Sequence, residues 1–273
     1  MTTTPEFEQN LRRIEERSAA FRAALTALTP LTAGGSLDAP LAAKVPSCPE
    51  WTLGDLVVHL GMVHRFWAAM VTAGPADTPL PEEDFLAPEG LGAEALPAWS
   101  QASTEELLSA LRAAGPDRGC WTWWGASDAA QTAGPVAPHQ VAEALVHTYD
   151  AQLAVGRPVS LPTEEALDAI DEFLRVGCGA AGPWPNPAAV VVLRAAEGRG
   201  WLLELTSEGS RARSLPGAAV TDTTPAHPVA TVTAHGTASE LVLALYGRMP
   251  MESLDIEGDR EVLTLLRAWQ PSE

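Results

Sequence analysis

Lysine is almost missing from this chain. Lys44 is the only one in 273 residues, and with the arginines it makes just 17 basic residues against 35 acidic ones. The net charge is −18 and the isoelectric point is near 4.6. A surface so acidic repels phosphate backbones, which argues against a nucleic-acid partner. Cysteine is scarce as well. Cys48, Cys120 and Cys178 form an odd set with no CxxC pair, a count that argues against a disulfide framework or a four-cysteine zinc site. They are expected as reduced, largely buried thiols, so thiol chemistry here would draw its sulfur from outside the chain. No apolar run is expected to approach a membrane span, and the start, MTTTPEFEQN, is polar and unlike a secretion signal. A cytoplasmic protein with no membrane partner is expected, and nothing in the pattern asks for more than a monomer.

What is present is a globular composition, 46% hydrophobic and 19% charged, on a chain longer than one small core needs. Helical periodicity fills the first part. Phe7, Leu11, Ile14, Phe21 and Leu25 make one stripe over residues 5–29, ended by Pro30. A Gly- and Pro-containing connection then leads to Pro49. Thr52 and Asp55 have capping-box spacing, with Trp51 placed to staple onto Leu56. The helix they open carries a stripe of Leu56, Leu60, Val63 and Trp67, with His59 at its edge and His64 further round. The proline- and acid-rich stretch 74–97 reads as a long loop of the kind that forms lids. A helix is expected over 102–113. WTWWG follows, and its Trp121, Trp123 and Trp124 read either as a pocket wall or as a plug at the end of the bundle core. A fourth helix is expected from about Pro138 to Val155, stopped at Gly156.

Beyond Pro162 the pattern changes. TEEALDAIDEFLRVGCGA reads as a helix, after which period-two segments AAVVVLR, WLLELT, HPVATVTAHG and SLDIEG read as strands. Thr237 and Glu240 box the start of ASELVLALYGRM, and DREVLTLLRAW closes the chain as a helix. The fold class expected is α followed by α+β: a four-helix bundle over 1–160 and a smaller α+β domain over 161–273.

The chemistry concentrates in EALVHTYD. Glu143 and His147 are four residues apart on one helix face, an arrangement that can offer two ligands to one metal ion. His59 supplies a third from another helix. Histidine and carboxylate without cysteine, three rather than four, leave a coordination position open, as catalytic sites do. Asp150, three residues after His147, is placed to accept the second ring proton of that histidine and fix its tautomer. The plain alternative is a surface i,i+4 pair beside a hydrogen-bonded core histidine. Against it, no basic residue is in phase with Glu143 on its own helix, and a buried carboxylate needs a cation or a hydrogen-bond network.

Two stretches resemble a known family. VPSCPEWTLGDLVVHLGMVHRF and EALVHTYDAQ are similar to the paired signatures of actinobacterial mycothiol-dependent enzymes of the maleylpyruvate isomerase type, which are related to DinB-like four-helix bundles. TVTAHGTASELVLALYGRMPMESLDIEGDREVL resembles that family's sterol-carrier-protein-like second domain. The resemblance implies a zinc ion on His59, Glu143 and His147, and mycothiol as cosubstrate. It implies a catalytic part for Arg248, which matches a second-domain arginine able to hold a carboxylate, alongside Asp150. Trp121, Trp123, Trp124 and His139 are candidates for the cofactor and substrate side. One departure stands out: members often carry arginines in the turn before the ligand glutamate, where this chain has Pro138-His139. The expectation is therefore thiol S-transfer to a small electrophile, with maleylpyruvate-type cis-trans isomerisation as the alternative. A metal hydrolase and a non-catalytic small-molecule-binding protein are further readings of the same pattern.

Overall fold

The structure is a computed structural model that describes residues 3–26, 41–88, 90–215 and 229–269. Contacts divide the chain into two compact units. One comprises residues 1–122 and 130–160, the other residues 123–129 and 161–273. A helical first part is followed by a sheet-containing second part, the expected fold class.

Among the described residues the first unit holds four long helices: α1 (Thr4–Thr26), α2 (Leu53–Ala73), α3 (Leu96–Ala114) and α4 (Ala133–Ala154). The α1 stripe is buried as its spacing predicts, with Phe7, Leu11, Ile14, Phe21 and Leu25 each no more than 1% exposed. One core cluster draws Phe21 and Leu25 from α1, Leu53, Leu56 and Leu60 from α2, Leu96 and Trp99 from α3, and Ala151 from α4. The Thr52–Asp55 capping box is present in both directions. By length and composition α2 does reach what a membrane span requires, contrary to the expectation from its sequence. Half of that apolar window is buried in the bundle, which accounts for its hydropathy without a membrane.

Three expectations need correction. The stretch 74–97 is not loop to its end, because α3 starts at Leu96, with Pro97 in the first turn where its missing N–H costs nothing. Helix α4 starts after Thr132, not near Pro138. Pro135 lies in its first turn and Pro138 one turn on, so only a single backbone bond is lost there. The connection before α2 contains a small antiparallel hairpin, β1 (Lys44–Val45) with β2 (Cys48–Thr52). The segment before it, like the ends expected at residues 29 and 30, lies outside the described residues.

In the second unit, α5 (Thr163–Glu172) runs into a π-helical turn, Phe173–Gly177, and a last α turn, Cys178–Ala180. A five-stranded sheet follows: β3 (Ala189–Ala195), β4 (Gly200–Thr206), β5 (Gly209–Leu215), β6 (Val232–Gly236) and β7 (Asp255–Gly258), in the order β5-β4-β3-β6-β7. Among the described strands of this sheet only the β3–β6 pair is parallel. Helix α6 (Ala238–Leu245) has the expected Thr237–Glu240 box, and α7 (Arg260–Trp269) ends the described chain. Strand β5, GSRARSL, was not expected. It is a polar edge strand with no apolar alternation, and it forms by pairing with β4 along its whole length.

Helices α2 and α3 approach closely at Gly61, where an added Cβ would sit 2.1 Å from the Trp99 ring. In an unobstructed helix Gly→Ala stabilises by about 1 kcal/mol. Here the methyl group overpacks a rigid ring, and a net loss of ~1–3 kcal/mol is expected for Gly61→Ala. Gly54→Ala, on the same helix with its nearest atom at 3.4 Å, is the control and should be neutral or stabilising. Urea denaturation of the two variants measures the difference.

Candidate metal centre

Three side chains from two helices converge inside the first unit. The capping box begins α2 at Leu53 and so fixes where His59 emerges, while α4 presents Glu143 and His147 one turn apart. One ligand atom from each of His59, Glu143 and His147 lies within 4.8 Å of the others. His147 Nε2 is 3.4 Å from Glu143 Oε2, and the His59 and His147 rings meet edge to face at 4.9 Å.

A second layer orients this group. Asp150 is fully buried, and its Oδ2 lies 2.9 Å from His147 Nδ1. That contact places the Nδ1 proton toward Asp150 and turns Nε2 toward Glu143. Ser47, in the β1–β2 hairpin, donates to Asp150 Oδ1 at 2.5 Å. Trp51 packs against the core cluster that includes Leu56, and its ring lies tilted against His59 at 4.7 Å and stands 6.5 Å from His147.

The electrostatics follow from burial and neighbours. Burial opposes charge on His147, but hydrogen bonds to Asp150 and Glu143 and their negative charges outweigh it and hold the imidazole well above its usual range. Burial likewise opposes charge on Glu143, yet the bond from His147 and the fields of His147, His139 and His59 hold the carboxyl well below its usual range. His64, one of the most deeply buried polar residues, is pushed down to about 3 by burial, so it is neutral. Burial raises the Cys120 thiol to about 11 and drives Cys178 higher still. Neither is a thiolate at neutral pH.

The donor set suits a divalent ion. Two imidazole nitrogens and a carboxylate oxygen face one another, and Glu143 Oε2 is buried without a well-aligned hydrogen bond among the described residues. Such an oxygen is the kind of acceptor that a cation satisfies.

The remaining expected site residues are placed as follows. The His139 ring stands 5.5 Å from Trp67, and its charge is felt by Glu143. Trp121 packs on Phe66 in the first unit. Trp123, exposed, and Trp124, buried, contact each other and group with the second unit. Arg248 also belongs to the second unit, where its guanidinium donates to the Tyr246 carbonyl at 2.7 Å. Sequence reasoning passed over Ser47, His64 and Gln140. Ser47 lies in a hairpin too short to carry periodicity. His64 falls on the buried line with Leu60 and Trp67, where Val63 was expected and is only partly buried. Gln140, one turn before Glu143 and inside the helix expected from Pro138, is completely buried; a lone amide carries no motif that marks it.

Comparison with known proteins bears on both parts of the chain. Residues 11–152 match the family profile described as the mycothiol maleylpyruvate isomerase N-terminal domain, and residues 164–265 match the corresponding C-terminal domain. No functionally curated protein matches the chain. Two crystal structures of mycothiol-dependent maleylpyruvate isomerase, one of them a histidine-to-alanine mutant, are similar in fold. Each has a TM-score of 0.56 over 94% of this chain and 96% of the other, at 16% identity for the unsubstituted protein and 14% for the mutant. On the match that spans most of its first unit together with the match to its second, the chain belongs to the mycothiol maleylpyruvate isomerase family.

Proposed function

We propose that the chain is a mycothiol-dependent metalloenzyme whose His59, Glu143 and His147 hold zinc and whose substrate is a small molecule with an electrophilic carbon. Family membership supports an enzyme that uses mycothiol. The observation that carries the rest is the convergence of two imidazoles and a carboxylate with Asp150 behind one of them. Bound there, zinc would favour the thiolate form of the cosubstrate and so supply a nucleophile at neutral pH.

The chain's own residues do the positioning. Asp150 holds a proton on His147 Nδ1, so that Nε2 is the nitrogen that would give up its proton to bind the ion. Ser47 holds Asp150, and the Trp51 ring lies against His59. The buried cysteines are unsuited to act as the nucleophile, which fits an external thiol.

Two outcomes of sulfur addition are open to such a site. If the thiol leaves after bond rotation the reaction is a cis-trans isomerisation, the reading that the family and the related crystal structures favour. If it stays, the product is a stable S-conjugate. This second reading is favoured by Pro138-His139 in α4, which removes the cationic turn expected to grip an acidic isomerase substrate. Trp121, Trp123, Trp124, His139 and Arg248 are proposed for the substrate and thiol side in either case, with a small-molecule partner and a cytoplasmic monomer as the setting. Metal hydrolysis and simple ligand binding are the readings left if mycothiol proves unnecessary.

Zinc-loaded protein incubated with mycothiol and candidate electrophiles, maleylpyruvate among them, should give either a rearranged substrate or an S-conjugate by mass spectrometry. Equal turnover without mycothiol, or by His147→Ala, would overturn the proposal. Asp150→Asn should weaken zinc binding by roughly 10–100-fold, because the amide no longer matches the Nδ1 proton with a charged acceptor. Ser47→Ala should have a smaller effect in the same direction. Competition with a chromogenic chelator measures both.

A further inference from the structure

Two ring contacts fix how α2 lies on α4. His59 meets His147 at 4.9 Å, and Trp67 meets His139 at 5.5 Å. The second contact is eight residues further along α2 and eight residues back along α4, so the helices are antiparallel through this stretch. Between the contacts lie His64 on α2 and the turn from Gln140 to Glu143 on α4. His64 is 1% exposed and Gln140 is 0% exposed, and His64 feels the charges of Glu143, His147 and His59.

One ring edge of His64 is already engaged. Thr104 Oγ1 gives its proton to the Ser100 carbonyl at 3.0 Å, accepts from Arg22 at 3.2 Å, and lies 3.3 Å from His64 Nδ1. Nδ1 therefore carries the ring proton, and Nε2 keeps a lone pair. That Nε2 is buried without a hydrogen-bond partner, and so are both ends of the Gln140 carboxamide. Buried polar groups are met by ordered water or by ligand when no protein group meets them. The unmet set here is one acceptor on His64 with a donor and an acceptor on Gln140.

We propose that His64 and Gln140 form a subsite for one uncharged hydroxyl, in the bundle interior beside His59, Glu143 and His147. The hydroxyl would donate to His64 Nε2 and accept from the Gln140 amide. An anion finds no donor on His64 and would face Glu143. A hydroxyl has a donor and an acceptor on one atom, which is what this pair asks for. Its source is a water molecule or an alcohol group of the bound thiol. The second source rests on the function proposed above; the first does not.

Crystal structures of the purified protein, alone and soaked with mycothiol, test the subsite. An oxygen within hydrogen-bonding reach of both His64 Nε2 and the Gln140 amide is the expected result. If it stays as a separate water in the soaked crystal, water is the occupant. If a mycothiol hydroxyl replaces it, Gln140→Met should raise the mycothiol Kd by about tenfold or more. In either case Gln140→Met should abolish the oxygen while Tm and zinc content stay near wild type. Density with no oxygen there, Gln140 turned to bond His64 directly, or an oxygen that survives Gln140→Met would overturn the subsite. Failure to bind zinc or mycothiol would instead defeat the proposed function, and the thiol-free crystal would still decide the subsite.

Discussion

A carboxylate held inside a helix bundle is the constraint on which the first unit depends. Glu143 sits on the inner face of α4, its side chain only 14% exposed, and its helix carries no lysine or arginine to meet its negative charge. Without positive charge beside it, that group would be expelled or protonated. The bundle answers with imidazoles: His147 one turn on, His59 from α2, and His139 one turn before. Asp150 and Ser47 then lock His147 from behind. Remove the charge and the reasons for these positions go with it.

The arrangement also gives the small hairpin a purpose. A two-stranded ribbon of this size has little stability of its own. Its Ser47 reaches Asp150, and its Trp51 covers His59. The segment that leads into α2 is thus part of the wall around the site, and the capping box at Thr52 is the point where wall becomes helix.

Much of this was legible in the sequence, and the failures have physical reasons. The convergence of His59, Glu143 and His147, with Asp150 beside His147, could be read because helix phase is written in residue spacing, and both capping boxes because they are local. Strand β5 was invisible: GSRARSL has no apolar alternation, and only its pairing with β4 makes it a strand. The start of α4 was placed too late because Pro138 was taken as a first-turn residue, whereas the helix accepts it one turn in. Gln140 lay inside the expected helix and went unremarked because a lone amide carries no motif. His64 was misjudged because a polar residue next to Arg65 looks like surface, while the close approach of α3 carries the buried line through it. The tryptophans of WTWWG were read as one group. They divide, Trp121 with the first unit and Trp123 with Trp124 in the second, and adjacency in sequence gave no sign of that.

The paired ring contacts between α2 and α4 have a consequence for how such chains can diverge. Each residue added to a helix turns everything after it by about 100°. One insertion between His59 and Trp67, or between His139 and His147, would separate the two contacts and swing either a ligand or its neighbour out of the bundle. The lengths of these two segments are therefore held by the paired contacts, whichever side chains they carry.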